Sequence, residues 1–178
     1  MKKIIKTVDE KKGIIQITCV DERWYVIPSK NKEKGIPQYK FLPSVTWIAG
    51  FYPKGIQFYK WMASKGWDEA EAIKREAGTK GDKVHQAISD LLRGNSVPMG
   101  AKFLNKDKEE PEELTAEEYE CLIRFADWFG QTKPAVLVNE EVVVNEAEGY
   151  AGTIDLVVRI GNEVWIVDIK TGQNIWPE

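Results

Sequence analysis

The stretch from Tyr150 to Gly172, YAGTIDLVVRIGNEVWIVDIKTG, decides the fold predicted for this chain. It contains two apolar runs rich in β-branched residues, 153–160 and 163–170, which are separated by the dipeptide Gly161-Asn162. β-Branched residues favour strands, and a two-residue connection that contains Gly and Asn is typical of a tight hairpin turn. The stretch is therefore predicted to form a β-hairpin.

The predicted turn also sets which charged side chains meet. If Ile160 faces Glu163, then Asp155 faces Asp168, and strand alternation places Lys170 on the face that carries Asp168. Facing side chains have Cβ atoms about 4.5–5.5 Å apart, a spacing at which like charges destabilise a sheet unless something offsets them. A bound cation is the simplest offset, and paired carboxylates suit Mg²⁺ or Mn²⁺. The alternative is a solvated face with a plain ion pair.

Length and composition favour an ordinary globular protein. The chain has 178 residues, of which 43% are hydrophobic and 30% are charged, and this length allows one domain with a sizeable core. We expect a single domain over 1–178, with an N-terminal β-hairpin and loop over 1–40 and the main core over 41–178. The net charge of -3 and the pI of about 5.4 argue against a broad basic surface for nucleic acid, but leave room for a local one.

The compartment is predicted from what the chain lacks. Its two cysteines, Cys19 and Cys121, are too few for a four-cysteine zinc or iron–sulfur site and fit a reducing compartment. No apolar run approaches the roughly 18 residues that span a membrane. The start, MKKIIKTVDEKK, has no long apolar segment of the kind that a secretory signal needs. The cytoplasm is the expected location.

Hydrophobic periodicity and turn residues predict the remaining elements. In the first third we expect two strands, a polar loop and two helices: Gly13–Val20, Arg23–Ile27, Ser29–Lys40, a short helix capped by Ser44 or Thr46, and Ile56–Ser64. In the middle we expect two helices separated by a glycine-rich break, a polar connection, a third helix with a capping box and a strand: Trp67–Ala77, Gly78–Gly81, Asp82–Arg93, Asn95–Leu114, Thr115–Gly130 and Ala135–Val144.

Three further residues could take part in a site. His85 is the only histidine and lies at the edge of the apolar face of its helix, so it is either a boundary residue or a metal ligand or general base. Glu140 and Glu141 interrupt an apolar strand. Strand parity points one of them inward, but the sequence does not say which, and both could be solvent-facing edge charges.

The ordered motifs resemble those of the PD-(D/E)xK nuclease superfamily, in its RecB-like and phage exonuclease branch. Gly78–His85 (GTKGDKVH), Gly152–Asp155 (GTID) and Asp168–Gly172 (DIKTG) resemble the branch's first, second and third motifs. Leu42–Thr46 (LPSVT) resembles a segment of phage members and of the related mitochondrial genome-maintenance exonucleases. The resemblance extends roughly over 41–176 and implies an α/β fold with a restriction-endonuclease-like core, a mixed β-sheet flanked by helices.

The resemblance also implies a metal centre. Asp155 and Asp168 resemble the metal-binding carboxylates of the branch, and His85 resembles its further metal ligand. The main-chain carbonyl of Ile169 is expected near the ion, which would be Mg²⁺ or Mn²⁺.

The implied reaction is hydrolysis of DNA. Lys170 resembles the catalytic lysine, and Glu141 fits the acidic residue of the preceding strand best, with Glu140 remaining possible. The resemblance therefore implies a Mg²⁺- or Mn²⁺-dependent deoxyribonuclease, an exonuclease in the phage branch, which acts on linear DNA ends, single- or double-stranded, in recombination, repair or processing. Trp47, Trp61 and Trp67, near the first motif, could offer stacking surfaces for bases, although core packing is the alternative.

Two departures from the branch keep other functions open. The branch continues past D-x-K-T-G into a helix with a Q-x-x-x-Y motif, whereas this sequence stops at Trp176-Pro177-Glu178, so we expect a chain truncated before that helix. Some members also bind an iron–sulfur cluster through four cysteines, which two cysteines exclude here. The alternatives are a catalytically inactive module that binds DNA or protein, a metal-free structural domain, and a phosphodiesterase for RNA.

Overall fold

The computed structural model of the chain describes residues 3–19, 22–29 and 38–172. These residues form a mixed α/β fold with antiparallel strand pairs and helices. In chain order the strands and helices are β1 (Lys3–Asp9), β2 (Ile14–Cys19), β3 (Glu22–Pro28), β4 (Tyr39–Pro43), α1 (Val45–Ala49), α2 (Ile56–Lys65), α3 (Trp67–Leu92), β5 (Lys102–Asn105), β6 (Glu110–Glu113), α4 (Ala116–Thr132), β7 (Ala135–Asn145), β8 (Tyr150–Ile160) and β9 (Glu163–Val167). Among them, no helix combines the length and the apolar character needed to cross a membrane.

The chain divides into two compact units. The first consists of Met1–Lys54 and Glu141–Ile154, and the second of Gly55–Glu140 and Asp155–Glu178. Strands β7 and β8 each contribute residues to both units. That the chain functions as a single domain with a boundary near residue 40 stays a prediction.

The first unit is built on the four-stranded antiparallel sheet β1-β2-β3-β4. Its core contains six buried residues: Ile14, Tyr25, Ile27, Leu42, Val142 and Ala151. The predicted strands β2 and β3 are confirmed, while β1 and β4 were not predicted because their short, lysine-containing sequences gain their hydrogen bonds by pairing with β2 and β3. The predicted cap is also confirmed, since Ser44 Oγ accepts a hydrogen bond from the Trp47 amide at 3.0 Å at the start of α1.

The second unit packs α3 against α4 and the β5–β6 hairpin. Its core contains six buried residues: Val84, Ala87, Ile88, Phe103, Leu114 and Leu122. The predicted apolar stripe of α3 therefore faces this core. The capping box of α4 is confirmed, because Thr115 Oγ1 accepts from the Glu118 amide while the Glu118 carboxylate accepts from the Thr115 amide.

Two predictions for the second unit are wrong. The break at Gly78–Gly81 does not exist, because α3 is one helix of 26 residues. The connection over 95–114 is not irregular throughout, because it contains the β5–β6 hairpin. Around the predicted break, Thr79 donates to Asp107 in the turn of this hairpin at 2.8 Å, and Lys80 donates to Glu117 of α4 at 2.5 Å. Glycine costs about 1 kcal/mol relative to alanine inside a helix, so Gly78 and Gly81 weaken α3 without ending it.

The hairpin register is confirmed. Ile160 pairs with Glu163 and Leu156 with Val167, and Gly161 has the positive φ of 59° that a tight hairpin turn requires. The strand β9 ends at Val167, however, three residues earlier than predicted. The DIKTG segment therefore lies beyond the ladder, so strand alternation no longer determines where its side chains point.

Candidate metal centre

Three side chains from three different elements of the second unit converge on one point. His85 of α3, Glu140 of β7 and Asp155 of β8 each offer a possible ligand atom, and these atoms all lie within 4.8 Å of one another. All three side chains are partly buried, with exposed fractions of 23%, 33% and 17% respectively. The group is therefore shielded from bulk water but open enough to be reached from solvent.

Glu140 reaches this point through an unusual backbone conformation. Its φ is +50°, in the left-handed region that costs a non-glycine residue about 1–3 kcal/mol and is common at functional sites. Its carboxylate Oε1 lies 2.8 Å from His85 Nδ1. The neighbouring Glu141 belongs to the first unit, where its carboxylate accepts a hydrogen bond from Lys12 at 3.3 Å. The structure thus places Glu140 beside the histidine, rather than Glu141, which the resemblance favoured.

Both nitrogens of His85 have acceptor partners. Nδ1 faces Glu140, with Asp155 Oδ1 at 3.8 Å, and Nε2 lies 3.1 Å from the carbonyl oxygen of Ile169. Neither partner carries a hydrogen at these atoms, so the imidazolium form satisfies both contacts. The hydrogen bond that His85 donates to Glu140, with a smaller contribution from Asp155, raises the pKa of His85 above its ordinary value of 6.5, although burial opposes this.

In the neutral form, a proton on Nε2 would leave Nδ1 as a lone-pair donor facing the two carboxylates. A metal-ligating histidine commonly donates its other N–H to a backbone carbonyl in this way, which fixes the tautomer and the ring orientation. Ile169 supplies that carbonyl. Instead of joining the carboxylates as the expected ligand, the Ile169 oxygen accepts from the far side of the imidazole ring.

Asp155 is held by the same residue. Its Oδ2 accepts a hydrogen bond from the Ile169 amide at 2.8 Å, and the Ile169 side chain packs against the apolar core of the second unit. Burial raises the pKa of Asp155 despite the Ile169 hydrogen bond and the nearby His85. One backbone residue therefore orients both a carboxylate and the imidazole, and Ile169 has a clear positioning role.

Asp168 and Lys170 lie outside the group of three among the residues that the structure describes. Lys170 Nζ is 2.7 Å from Asp168 Oδ2, and both side chains are largely exposed. Their contact agrees with the prediction that they share a face. The expected pairing of Asp155 with Asp168 is replaced by the contact between Asp155 and the Ile169 amide, because the ladder ends at Val167.

The donor set suits a divalent cation. Carboxylates favour Mg²⁺ and Mn²⁺, while one imidazole extends the range towards the transition metals. With a neutral imidazole, Glu140 and Asp155 leave two negative charges without a compensating cation within the group, and a partly buried carboxylate is costly without a partner. A cation between these three side chains would offset both charges.

Comparisons of the chain with protein-family models, curated proteins and solved structures give no match. The chemistry of the site is therefore argued from its own geometry. The sequence singled out His85 and Asp155 and left Glu140 and Glu141 open as alternatives. A left-handed residue inside a strand leaves no local sequence signal that could have separated the two.

Proposed function

We propose that this chain is a divalent-metal-dependent deoxyribonuclease with a restriction-endonuclease-like core, which hydrolyses phosphodiester bonds at linear DNA ends. The observation that carries the proposal is the convergence of His85, Glu140 and Asp155. These residues come from, or lie next to, the segments whose order in the sequence resembles the nuclease motifs. The preferred metals are Mn²⁺ and Mg²⁺, and the proposed compartment is the cytoplasm of a bacterial or phage-infected cell.

His85, Glu140 and Asp155 would hold the ion, with Ile169 fixing the orientation of two of them. A bound Mg²⁺ or Mn²⁺ polarises a phosphate and lowers the pKa of a coordinated water. The Lys170 ammonium, one residue after Ile169, would stabilise the negative charge that develops on the phosphoryl oxygens. Asp168, 2.7 Å from the Lys170 ammonium, holds that ammonium in place.

One observation favours a second candidate. The Asp168–Lys170 pair is exposed and lies outside the group of three metal-ligand candidates. A module that binds DNA or protein without cutting it would not need Asp168 and Lys170 to lie closer to the three metal-ligand candidates. The two candidates differ in turnover, because both predict binding but only the first predicts metal-dependent cleavage.

Degradation of labelled linear DNA with Mn²⁺ or Mg²⁺ tests the proposal. We expect wild-type protein to degrade DNA only with metal, Lys170→Ala to lose about 10²–10³ in rate, Asp168→Ala to lose no more than Lys170→Ala, and Asp155→Asn to be inactive although folded. Glu141→Gln is the matched control and keeps activity. Equal degradation by wild type and all variants would identify a contaminating nuclease, and binding without cleavage by pure wild type would favour the second candidate. Labelled RNA in parallel reveals a preference for RNA.

A further inference from the structure

Residues 51–67, FYPKGIQFYKWMASKGW, stand apart from the rest of the chain in composition. They include six of the 19 aromatic residues, together with three lysines and no acidic residue. The segment has a net charge of +3, whereas the rest of the chain has a net charge of -6, since the whole chain carries -3. Interleaved aromatic and basic residues are typical of surfaces that bind single-stranded nucleic acid.

The helix α2 within this segment presents apolar side chains on two opposite faces. Phe58, Trp61 and Met62 lie on one face and are partly buried, as the sequence predicts. Ile56, on the opposite face, is 65% exposed, and Tyr59, whose ring meets that of Phe58 edge-on with the ring centres 5.7 Å apart, is 50% exposed. A helix that only packs against its own unit needs a single apolar face, so the second face of α2 is available to a binding partner.

Exposed basic and aromatic groups lie on this second face and shortly after it in the chain. Lys60 is exposed and lies on the same side of the helix as Ile56, four residues away. After the turn at Gly66, where φ is +81°, Trp67 opens α3 with 66% of its surface exposed. Lys65, by contrast, is paired with Glu69 at 2.9 Å. Lys60 is therefore the lysine of this face best placed to meet a phosphate.

We infer that the outward face of α2 and the start of α3 bind single-stranded DNA. Bases would stack on Tyr59 and on Trp67, and Lys60 would contact a backbone phosphate. Lys54 and Lys60 favour a polyanion over an apolar protein partner, whereas Lys65 is offset by Glu69 and Asp68 follows Trp67 in the first turn of α3. The inference rests on the proposed function, since it names the strand state of the substrate, but binding can be measured without cleavage.

Fluorescence anisotropy with a labelled oligothymidine of about 16 nucleotides, in EDTA, tests the inference. Removal of one stacking side chain, in Tyr59→Ala or Trp67→Ala, is expected to weaken binding by about fivefold to a hundredfold. Lys60→Gln should reduce the slope of log affinity against log salt by about 0.7, the value for one phosphate contact with a single strand. Tyr39→Ala is the matched control, because Tyr39 is 53% exposed but lies on β4, and it should bind like wild type.

Unchanged affinity in both aromatic variants would overturn the inference. Equal binding of duplex DNA, or an assembly of two chains that depends on Tyr59 and binds no oligonucleotide, would overturn it as well. Asp155→Asn separates this inference from the proposed function, because it should bind the oligonucleotide normally while cleaving nothing. Wild type that binds through Tyr59 and Trp67 but never cleaves DNA would leave the inference standing and refute the nuclease.

Discussion

Two charged clusters lie two residues apart on α3 and differ in how their charges balance. Lys83 is paired with Glu118 at 2.8 Å, and both side chains are at most 5% exposed. A second carboxylate, that of Glu112, lies 3.8 Å from Lys83 Nζ and is itself paired with Lys108. His85, a single cationic group at most, faces the two carboxylates of Glu140 and Asp155 at a site of intermediate burial.

The surroundings of the two clusters reinforce this difference. Lys83 also donates to the Glu113 carbonyl oxygen, and the Glu118 carboxylate also accepts from the Thr115 amide. Every charge in this cluster therefore has an opposite charge and a further hydrogen-bond partner, which suits a structural role. The cluster around His85 has more negative than positive charge, and this imbalance is the physical basis for expecting a cation there.

The largest effect is expected at the balanced cluster. Lys83→Met should lower the free energy of unfolding by about 3–5 kcal/mol, because it leaves the Glu118 carboxylate buried without an opposite charge. Denaturant unfolding monitored by circular dichroism measures the change. In the double variant Lys83→Met/Glu118→Gln we expect partial recovery, since Gln keeps a hydrogen bond to the Thr115 amide without a charge. A loss below about 1 kcal/mol would be typical of a surface ion pair and would contradict the structural role of the buried Lys83–Glu118 pair.

The second-largest effect is a stabilisation by metal, expected at the cluster around His85. Mn²⁺ at one hundred times its dissociation constant should stabilise wild type by about 2.7 kcal/mol, which raises the melting temperature by roughly 5–10 °C relative to EDTA. Glu140→Gln should lose most of this shift, because it removes one proposed ligand.

Glu141→Gln is the matched control for that measurement. It changes the adjacent residue, whose carboxylate contacts Lys12, and should keep the full metal-dependent shift. Loss of the shift in Glu141→Gln with retention in Glu140→Gln would reverse the assignment of these two residues. No shift in wild type would remove the metal centre.

The third and smaller effect is a change in the pKa of His85, which distinguishes Glu140 from Glu141 as its neighbour. Because His85 is the only histidine, its imidazole resonances in the metal-free protein are assigned without ambiguity in a chain that carries no histidine tag. We expect its pKa to lie above 6.5 in wild type and in Glu141→Gln, and to fall in Glu140→Gln, which loses the carboxylate that raises it most. A pKa at or below 6.5 in all three proteins would contradict the contact with Glu140.

The sign of the linked stability follows from the direction of this shift. A raised pKa in the folded state means that the His85–Glu140 contact stabilises the metal-free protein fully below the unfolded-state pKa of about 6.5. This contribution is lost as the pH rises through the higher pKa of the folded state. The stability difference between wild type and Glu140→Gln in EDTA should therefore shrink over that range.

Sequence signals predicted those features of the fold that depend on neighbouring residues. The turn at Gly161-Asn162 predicted the hairpin register, and Ser44 and Thr115 marked the starts of α1 and α4. What the sequence missed depends on contacts between distant residues. The continuity of α3 and the β5–β6 hairpin both involve the hydrogen bond from Thr79 to Asp107, which joins residues with no local pattern in common.

The candidate site shows the same division. His85 and Asp155 could be identified because a helix edge and a strand register depend on periodicity alone. Glu140 could not be separated from Glu141, because strand parity assumes an extended backbone and Glu140 has a φ of +50°. Asp168 was predicted to face Asp155 on the assumption that the pairing of β8 with β9 continues past residue 167. Strand β9 ends at Val167, one residue before Asp168, so the assumption fails there.

The smallest effect concerns the helix that carries both clusters. Gly78 lies inside α3 with no atom within 4 Å of a Cβ added there, so Gly78→Ala should stabilise the protein by about 0.4–1 kcal/mol through the lower entropy of the unfolded chain. Gly149→Ala is the control, because the φ of +79° at Gly149 makes alanine unfavourable by about 1–2 kcal/mol. Denaturant unfolding of both variants measures the two opposite changes. Destabilisation by Gly78→Ala would mean that α3 is not continuous through residue 78.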